Sequence, residues 1–404
     1  MSKEEKEKLV PNLRFKGFTD DWIPQLFADL LDKEEGIRRG PFGSALKKDY
    51  FVSDSNYVVY EQRNAIDDHY QTRYNISKEK FDELHRFVLQ PDDFIMSGAG
   101  TIGRISRVPK EVKQGVFNQA LIRMKLNYEV ADPDFFIQWM RSDNLQRKLT
   151  QANPASAMAN LVPMSELKEW KVIVPKKEEQ VKLGIFISKI ENIITLEQEK
   201  LKLYEQLKTF IINNILSRKG LSPILFFDSV NKEWKVHKIK EVAALNNNAR
   251  IPVKESERVP GLIPYYGANG IQDFVEGNTH EGEFALIAED GANDITDYPS
   301  KFVTGKIWVN NHAHVITGYK EVLDTNFFSY LFKTLNIARY LVGSGRWKLN
   351  AGTLLEIPIY IPEYNQQLKI SSLLNTFDTL IQNGEYKIKN YNRLKNLLLQ
   401  NLFV

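Results

Sequence analysis

Two stretches of the chain lack proline and repeat apolar residues at helical spacing. One runs from Lys176 to Ser222, and the other follows Pro362. Glu, Gln, Lys and Leu dominate both, and all are good helix formers. On the first, Ile190, Ile194, Leu201, Tyr204, Leu207, Ile211 and Ile215 recur at intervals of three, four and seven. On the second, Phe377, Ile381, Ile388, Tyr391, Leu394, Leu398 and Leu402 form a matching stripe. Each pattern predicts one apolar stripe on a polar rod. In the first stretch a short helix, Glu178 to about Phe186, is expected to precede a long one beginning near Ser188. A lone stripe stays wet. Two can bury each other as a coiled coil; the competing arrangement lays each helix on its own neighbouring unit.

Elsewhere the pattern changes. Short β-branched and aromatic runs such as "NYVVYE", "DFIMS", "VFNQALIRM", "GEFALIAE" and "GKIWVNNHAHVIT" are punctuated by Gly, Pro, Asn and Asp. These predict strands. One amphipathic helix is expected in each unit, near Asp134–Leu149 and Asn326–Leu341. The fold class is therefore α+β: two mixed domains with mostly antiparallel sheets, separated by two long helices.

The chain also repeats itself. An offset of 187 places Pro175 on Pro362 and needs no gap to the end; ten of the 42 positions from Pro175 to Leu216 are then identical. Ordinary composition would give roughly two or three. Upstream, "PDFFIQWMRSDNLQRKL" resembles "TNFFSYLFKTLNIARYL", and "DDWIPQLFADL" resembles "KEWKVHKIKEV". The implied order is an N-terminal tail (1–20), a first globular domain (21–175), a central helical region (176–220), a second domain (221–362) and a C-terminal helical region (363–404).

Composition narrows the chemistry. The 404 residues contain no Cys, which removes disulfides, thiolate metal sites and a Cys nucleophile, and suits a reducing compartment. The charged start "MSKEEKEKLV" lacks the apolar core of a signal peptide, and no run reaches the ~18–20 apolar residues of a membrane span. A cytoplasmic location is expected. The net charge of +3 is low for a protein that holds nucleic acid by charge alone, so DNA binding would use local patches or partners.

Catalytic motifs find little support. "GAGTIG", Gly98–Gly103, fits G-x-G-x-x-G, but a strand-like run follows it instead of a helix, and "RMKL" stands where an acidic ribose ligand should lie. A tight turn between strands explains it better. "NPAS", Asn153–Ser156, lacks the second Pro and the aromatic of an adenine methyltransferase loop. His312 and His314 share a strand face without a third ligand, so no metal site is expected.

Basic and amide residues beside Gly and aromatics suit DNA better. "GIRRGPFGSALKKDY" sets Arg38, Arg39, Ser44, Lys47 and Lys48 around a Gly-Pro turn, types that hold phosphates. Gln62, Arg63 and Asn64 follow, types that read base edges. The second domain offers Asn246, Asn247, Asn248 and Arg250, then Tyr265, Tyr266 and Asn269, then Arg346, Trp347, Lys348 and Asn350.

"GPFGSALK", "VPKKEEQVKLGIFISKIENII" with its long helix, and "IPEYNQQLKISSLL" resemble the specificity subunit of type I restriction-modification enzymes, and the likeness covers nearly the whole chain. The second copy departs from the pattern with Gln366 in place of Glu179, and Gly384 inside its helix is expected to loosen it locally. The resemblance implies a subunit without an active site or cofactor of its own. It implies double-stranded DNA as ligand, each domain reading half of an asymmetric bipartite target. It also implies two modification subunits that bind S-adenosylmethionine and methylate adenine, and two restriction subunits that use ATP and Mg. A helix from Ser188 to Leu216 would be roughly 40 Å long, near the ~34–36 Å of one turn of B-DNA, so two such helices, paired as an antiparallel coiled coil, would act as a spacer and as a docking site for the modification subunits. A self-contained methyltransferase or nuclease, and a coiled-coil adaptor with no DNA role, are the alternatives.

Overall fold

The computed structural model describes residues 10–151, 163–216 and 234–403, apart from 293, 296 and 344–346, with side chains to 149 in the first stretch. The chain divides into two compact units, Met1–Glu197 with Lys387–Val404, and Gln198–Tyr386. Each long helix therefore gives one half to each unit.

In the first unit the strands Ile37–Arg39, Leu121–Met124, Phe94–Ser97 and Ile105–Arg107 form one antiparallel sheet in that order. A second sheet is ordered Phe51–Val52, Tyr74–Ile76, Tyr57–Tyr60, Gly115–Phe117, with its last pairing parallel. The second unit has one six-stranded sheet: Ala243–Leu245, Ala313–Gly318, His280–Ala288, Ser300–Val309, Pro260–Gly267, Gly270–Val275. A single parallel pairing, Tyr265–Tyr266 with Trp308–Val309, interrupts its antiparallel order. The mixed, mostly antiparallel fold expected from the alternating runs is present in both. "GAGTIG" is the hairpin turn between Phe94–Ser97 and Ile105–Arg107, and Gly100 and Gly103 take φ of 65° and 81°, where a side chain would strain.

The single helix expected at Asp134–Leu149 is instead two, Pro133–Met140 and Asp143–Gln151. Side chains stabilise the break: the Gln146 Nε2 amide donates to the Met140 and Gly103 carbonyls, and Arg141 reaches the Ile105 carbonyl. In the second unit the helix is Thr325–Lys333, followed by a 3-10 turn, Ala338–Tyr340, so the stretch to Leu341 is not one helix either. Both helices start at an Asp, because Asp132 and Asp324 accept the Phe135 and Phe327 amides at 2.9 and 2.7 Å. Their aromatic faces fill the cores, Phe135, Phe136 and Trp139 in one and Phe327, Phe328 and Phe332 in the other.

A two-stranded ribbon closes each unit: Ile23–Leu26 with Lys171–Val174, and Lys235–Lys238 with Pro358–Ile361. Each leads through a proline into a long helix. The helices are Lys177–Ile215 and Tyr364–Leu402, both 39 residues. The break expected before Ser188 does not occur, because Leu183 and Ile187 extend the stripe of Ile190 and Ile194 in phase. The helices pair, as the stripes predicted, and they run antiparallel. In the first unit Glu191 pairs with Lys395, and Glu197 with Lys387 at 3.9 Å. In the second, Tyr204 meets Phe377 edge-on at 6.4 Å, and Lys208 pairs with Asp378. Gly384 does not break its helix; it sits against Leu201.

Ile190, Ile194, Ile215 and Leu402 are buried, and Leu201, Tyr204, Ile211, Phe377, Ile381, Ile388, Tyr391 and Leu398 are half-buried. Leu207 and Leu394 are the exceptions at 40% and 44% exposed. Their neighbours Lys208 and Lys395 face the opposite helix instead, where each ammonium finds a carboxylate. The helix ends also enter the cores. Leu398, Leu402 and Phe403 join the first unit, and Ile211, Ile215 and Leu216 join the second.

The expected N-terminal tail is a strap from residue 10 onward. The Leu13 amide donates to the Asn401 carbonyl, Phe15 meets Phe186, and Lys176 pairs with Asp20.

Candidate nucleic-acid interface

The loops that would meet a ligand stand on a scaffold anchored twice in the same way. Gln180 and Gln367, both 1% exposed, lie in the first turn of their helices. Gln180 Oε1 accepts the Asp132 amide at 2.9 Å, and its Nε2 donates to the Val130 and Pro175 carbonyls. Gln367 repeats the set on Asp324, Val322 and Pro362. One side chain thus ties together the N-cap of the domain helix, the preceding loop and the end of the closing ribbon. Beside Gln180, Arg14 of the strap grips Glu179 through two hydrogen bonds of 2.7 and 2.8 Å.

A second repeated junction lies further along. Glu191 receives Lys395 of the other helix and, at 2.6 Å, the Gln138 amide of the domain helix. Asp378 receives Lys208 and the Tyr330 hydroxyl. Burial, then the Asp378 carboxylate, raises the Tyr330 phenol well above its ordinary range, so it stays a donor. Each helix therefore supplies the lysine for the other's acid.

The expected DNA-facing residues divide into framework and surface. Arg38 and Arg39 lie on an edge strand, not in a loop, and donate to the Arg86 and Gln119 carbonyls at 2.6 and 3.2 Å. Asn64 is 2% exposed. Its amide is spent on the backbone of Glu61, His69 and Gln71, so no base edge can reach it. Gln62 is half-buried, with an unpartnered Oε1. Ser44, Lys47, Lys48 and Arg63 are exposed, Arg63 beside Asp67 at 3.3 Å.

In the second unit Asn247, Arg250 and Lys348 converge on Glu289 and the buried His314. Arg250 reaches Glu289 at 2.7 Å, and Lys348 reaches it at 3.6 Å. His314 Nε2 donates to the Leu349 carbonyl, and its Nδ1 takes the Asn247 amide at 2.9 Å. Burial lowers the imidazole pKa and keeps it neutral, which fits this tautomer. His312 precedes the strand, so the two His do not share its face. Among the described residues no group of three or more His, Asp or Glu could hold a metal ion. Tyr265 and Tyr266 are buried; the Tyr265 hydroxyl accepts the Val253 amide. Asn246 bonds Thr317, Trp347 is half-buried, and Asn248, Asn269 and Asn350 are exposed. Arg346 and Asn153–Ser156 lie outside the described residues.

The domain family described as the type I restriction modification DNA specificity domain matches residues 42–206 and again 231–391. The chain belongs to that family. Its two matched segments each cover most of one globular domain and most of the helix that follows, the unit of the internal repeat. A Haemophilus influenzae protein assigned as a type I restriction enzyme specificity subunit is 49% identical over 148 residues, covering 37% of this chain and 38% of that one. The EcoprrI specificity subunit of Escherichia coli is 28% identical over 119 residues, covering 30% of this chain and 29% of its own. The chain thus matches well under half the length of these relatives. The S subunit of a type I restriction-modification system from M. genitalium shares the fold over 98% of this chain and 99% of its own, with a TM-score of 0.66 at 16% identity. No described helix is long and apolar enough to cross a membrane.

Proposed function

We propose that this chain is the non-catalytic DNA-reading subunit of a type I restriction-modification complex. Each globular domain reads one half of an asymmetric, bipartite target in double-stranded DNA. The two helices set the unread gap and dock two modification subunits, which carry S-adenosylmethionine and methylate adenine. Two restriction subunits, which carry ATP and Mg, complete the complex. The observation that carries this reading is the duplicated anchoring of each domain, Gln180 with the Glu191–Lys395 pair and Gln367 with the Asp378–Lys208 pair. Two similar readers on two similar mounts suit a two-part target and two copies of one partner. Exposed apolar residues at equivalent positions, Leu207 and Phe210 on one helix and Leu394 and Leu397 on the other, suit two equivalent docking surfaces.

The test is a methylome. A host carrying this chain with its modification subunits should methylate adenines in one split, asymmetric motif. Removing residues 196–202 together with 383–389, one matched heptad from each helix, should change the gap and leave both half-sites unchanged. A continuous motif, or one indifferent to the deletion, refutes the reading.

A further inference from the structure

Phe42 is 88% exposed, while the next most exposed phenylalanines described, Phe210 and Phe274, reach 55% and 51%. Its loop holds it firmly. Gly40 lies so close to the Asn118–Gln119 turn that a Cβ there would come within 1.9 Å of the Asn118 carbonyl oxygen. Pro41 is buried, and the Ala45 amide donates to the Phe42 carbonyl at 2.8 Å. Arg39 ties the edge strand to Gln119. The ring is thus an apolar tip on a braced knuckle, and the exposed charged or polar side chains flanking it in sequence are mostly cationic or neutral: Arg39, Ser44, Lys47 and Lys48, with Asp49 as the one acid. An acidic polymer with apolar faces between its phosphates matches that pattern. In duplex DNA those faces are the base steps, and Phe is among the side chains that enter a groove as wedges.

We propose that Phe42 inserts at a base step of the half-site read by the first domain, with Arg39, Lys47 and Lys48 on the flanking phosphates. This rests on the reading of that domain as a DNA reader. The wedge contributes affinity through the ring and specificity through the deformability of the step it opens.

The complete complex, with its modification subunits, is titrated with target duplexes carrying 2-aminopurine at successive positions of that half-site. Besides the adenine that is methylated, which its own extrusion brightens whether or not Phe42 is present, binding should brighten one position. Phe42→Ala should remove that signal and weaken binding about tenfold or more, with the slope against salt unchanged. Phe42→Trp should keep both. Lys47→Ala with Lys48→Ala should flatten the slope by about 0.9 per lost phosphate contact. If Phe42→Ala binds as tightly as the parent while the lysine variant loses slope, the wedge is refuted and the DNA reading stands. A Phe42→Ala loss without any fluorescence response beyond the methylated adenine refutes the wedge as well. If neither variant alters DNA binding, the knuckle faces a protein partner and the inference falls. A complex that binds no DNA sinks both readings.

Discussion

Replacing Gln180 with Ala tests the anchoring of the first domain. The side chain is 1% exposed and bonds three backbone groups: the Asp132 amide, the Val130 carbonyl and the Pro175 carbonyl. Truncation leaves all three without their partner, the Pro175 carbonyl buried and the other two groups partly buried, at about 1–3 kcal/mol for each that stays dry. Water entering the vacated space recovers part of that, so the net loss expected is about 3–4 kcal/mol. With a urea slope of about 2 kcal/mol/M, the midpoint should fall by about 2 M. Tryptophan fluorescence during urea unfolding measures the shift, and hydrogen exchange locates it. Protection should drop around the buried Trp22 and Trp139 and persist in the second unit. Gln367→Ala should reverse the two. Gln180→Glu keeps the shape and the acceptor for Asp132 but sets a carboxylate against two carbonyl oxygens, and should cost at least as much. A shift under about 0.5 M, or protection lost in the wrong unit, would refute the argument.

Two helical glycines should respond oppositely to Ala. At Gly184 a Cβ would lie 2.6 Å from the Phe135 nitrogen and 2.9 Å from the Asp134 carbonyl carbon, both backbone, so Gly184→Ala should destabilise by about 1–3 kcal/mol. At Gly384 the nearest atom, Leu201 Cδ1, is 3.4 Å away, and Gly384→Ala should stabilise by about 0.5–1 kcal/mol; calorimetry reads both signs. Lys208→Glu should destabilise the helix pair by facing Asp378 with a like charge, and adding Asp378→Lys should restore it. Because the pair is partly exposed, a double-mutant cycle should give a coupling of about 1 kcal/mol. A coupling near zero would make the repeated ion pair ornamental.

The stripes from Ile190 to Ile215 and from Phe377 to Leu402 were legible because helical periodicity is local, and the same holds for the alternating runs that became strands. The duplication was legible because it is written in residue identities. Gln180 with Gln367 and Lys208 with Lys395 are among those identities, so the anchors were in view without their meaning. Other features could not be read from spacing. Leu207 and Lys208 differ by one step around a helix, and only the carboxylate waiting on the opposite helix turned the lysine inward and the leucine out. Asn64 and Arg63 are adjacent and chemically similar as base readers. Tertiary burial committed one to backbone carbonyls and left the other at the surface. Sequence alone thus determined the elements, their repeat and the apolar stripes by which the helices pair, because these follow from hydrogen-bond geometry and the burial of apolar surface over a few turns. Tertiary structure alone decided which polar side chains serve the framework and which meet a ligand, since that depends on neighbours brought from distant parts of the chain.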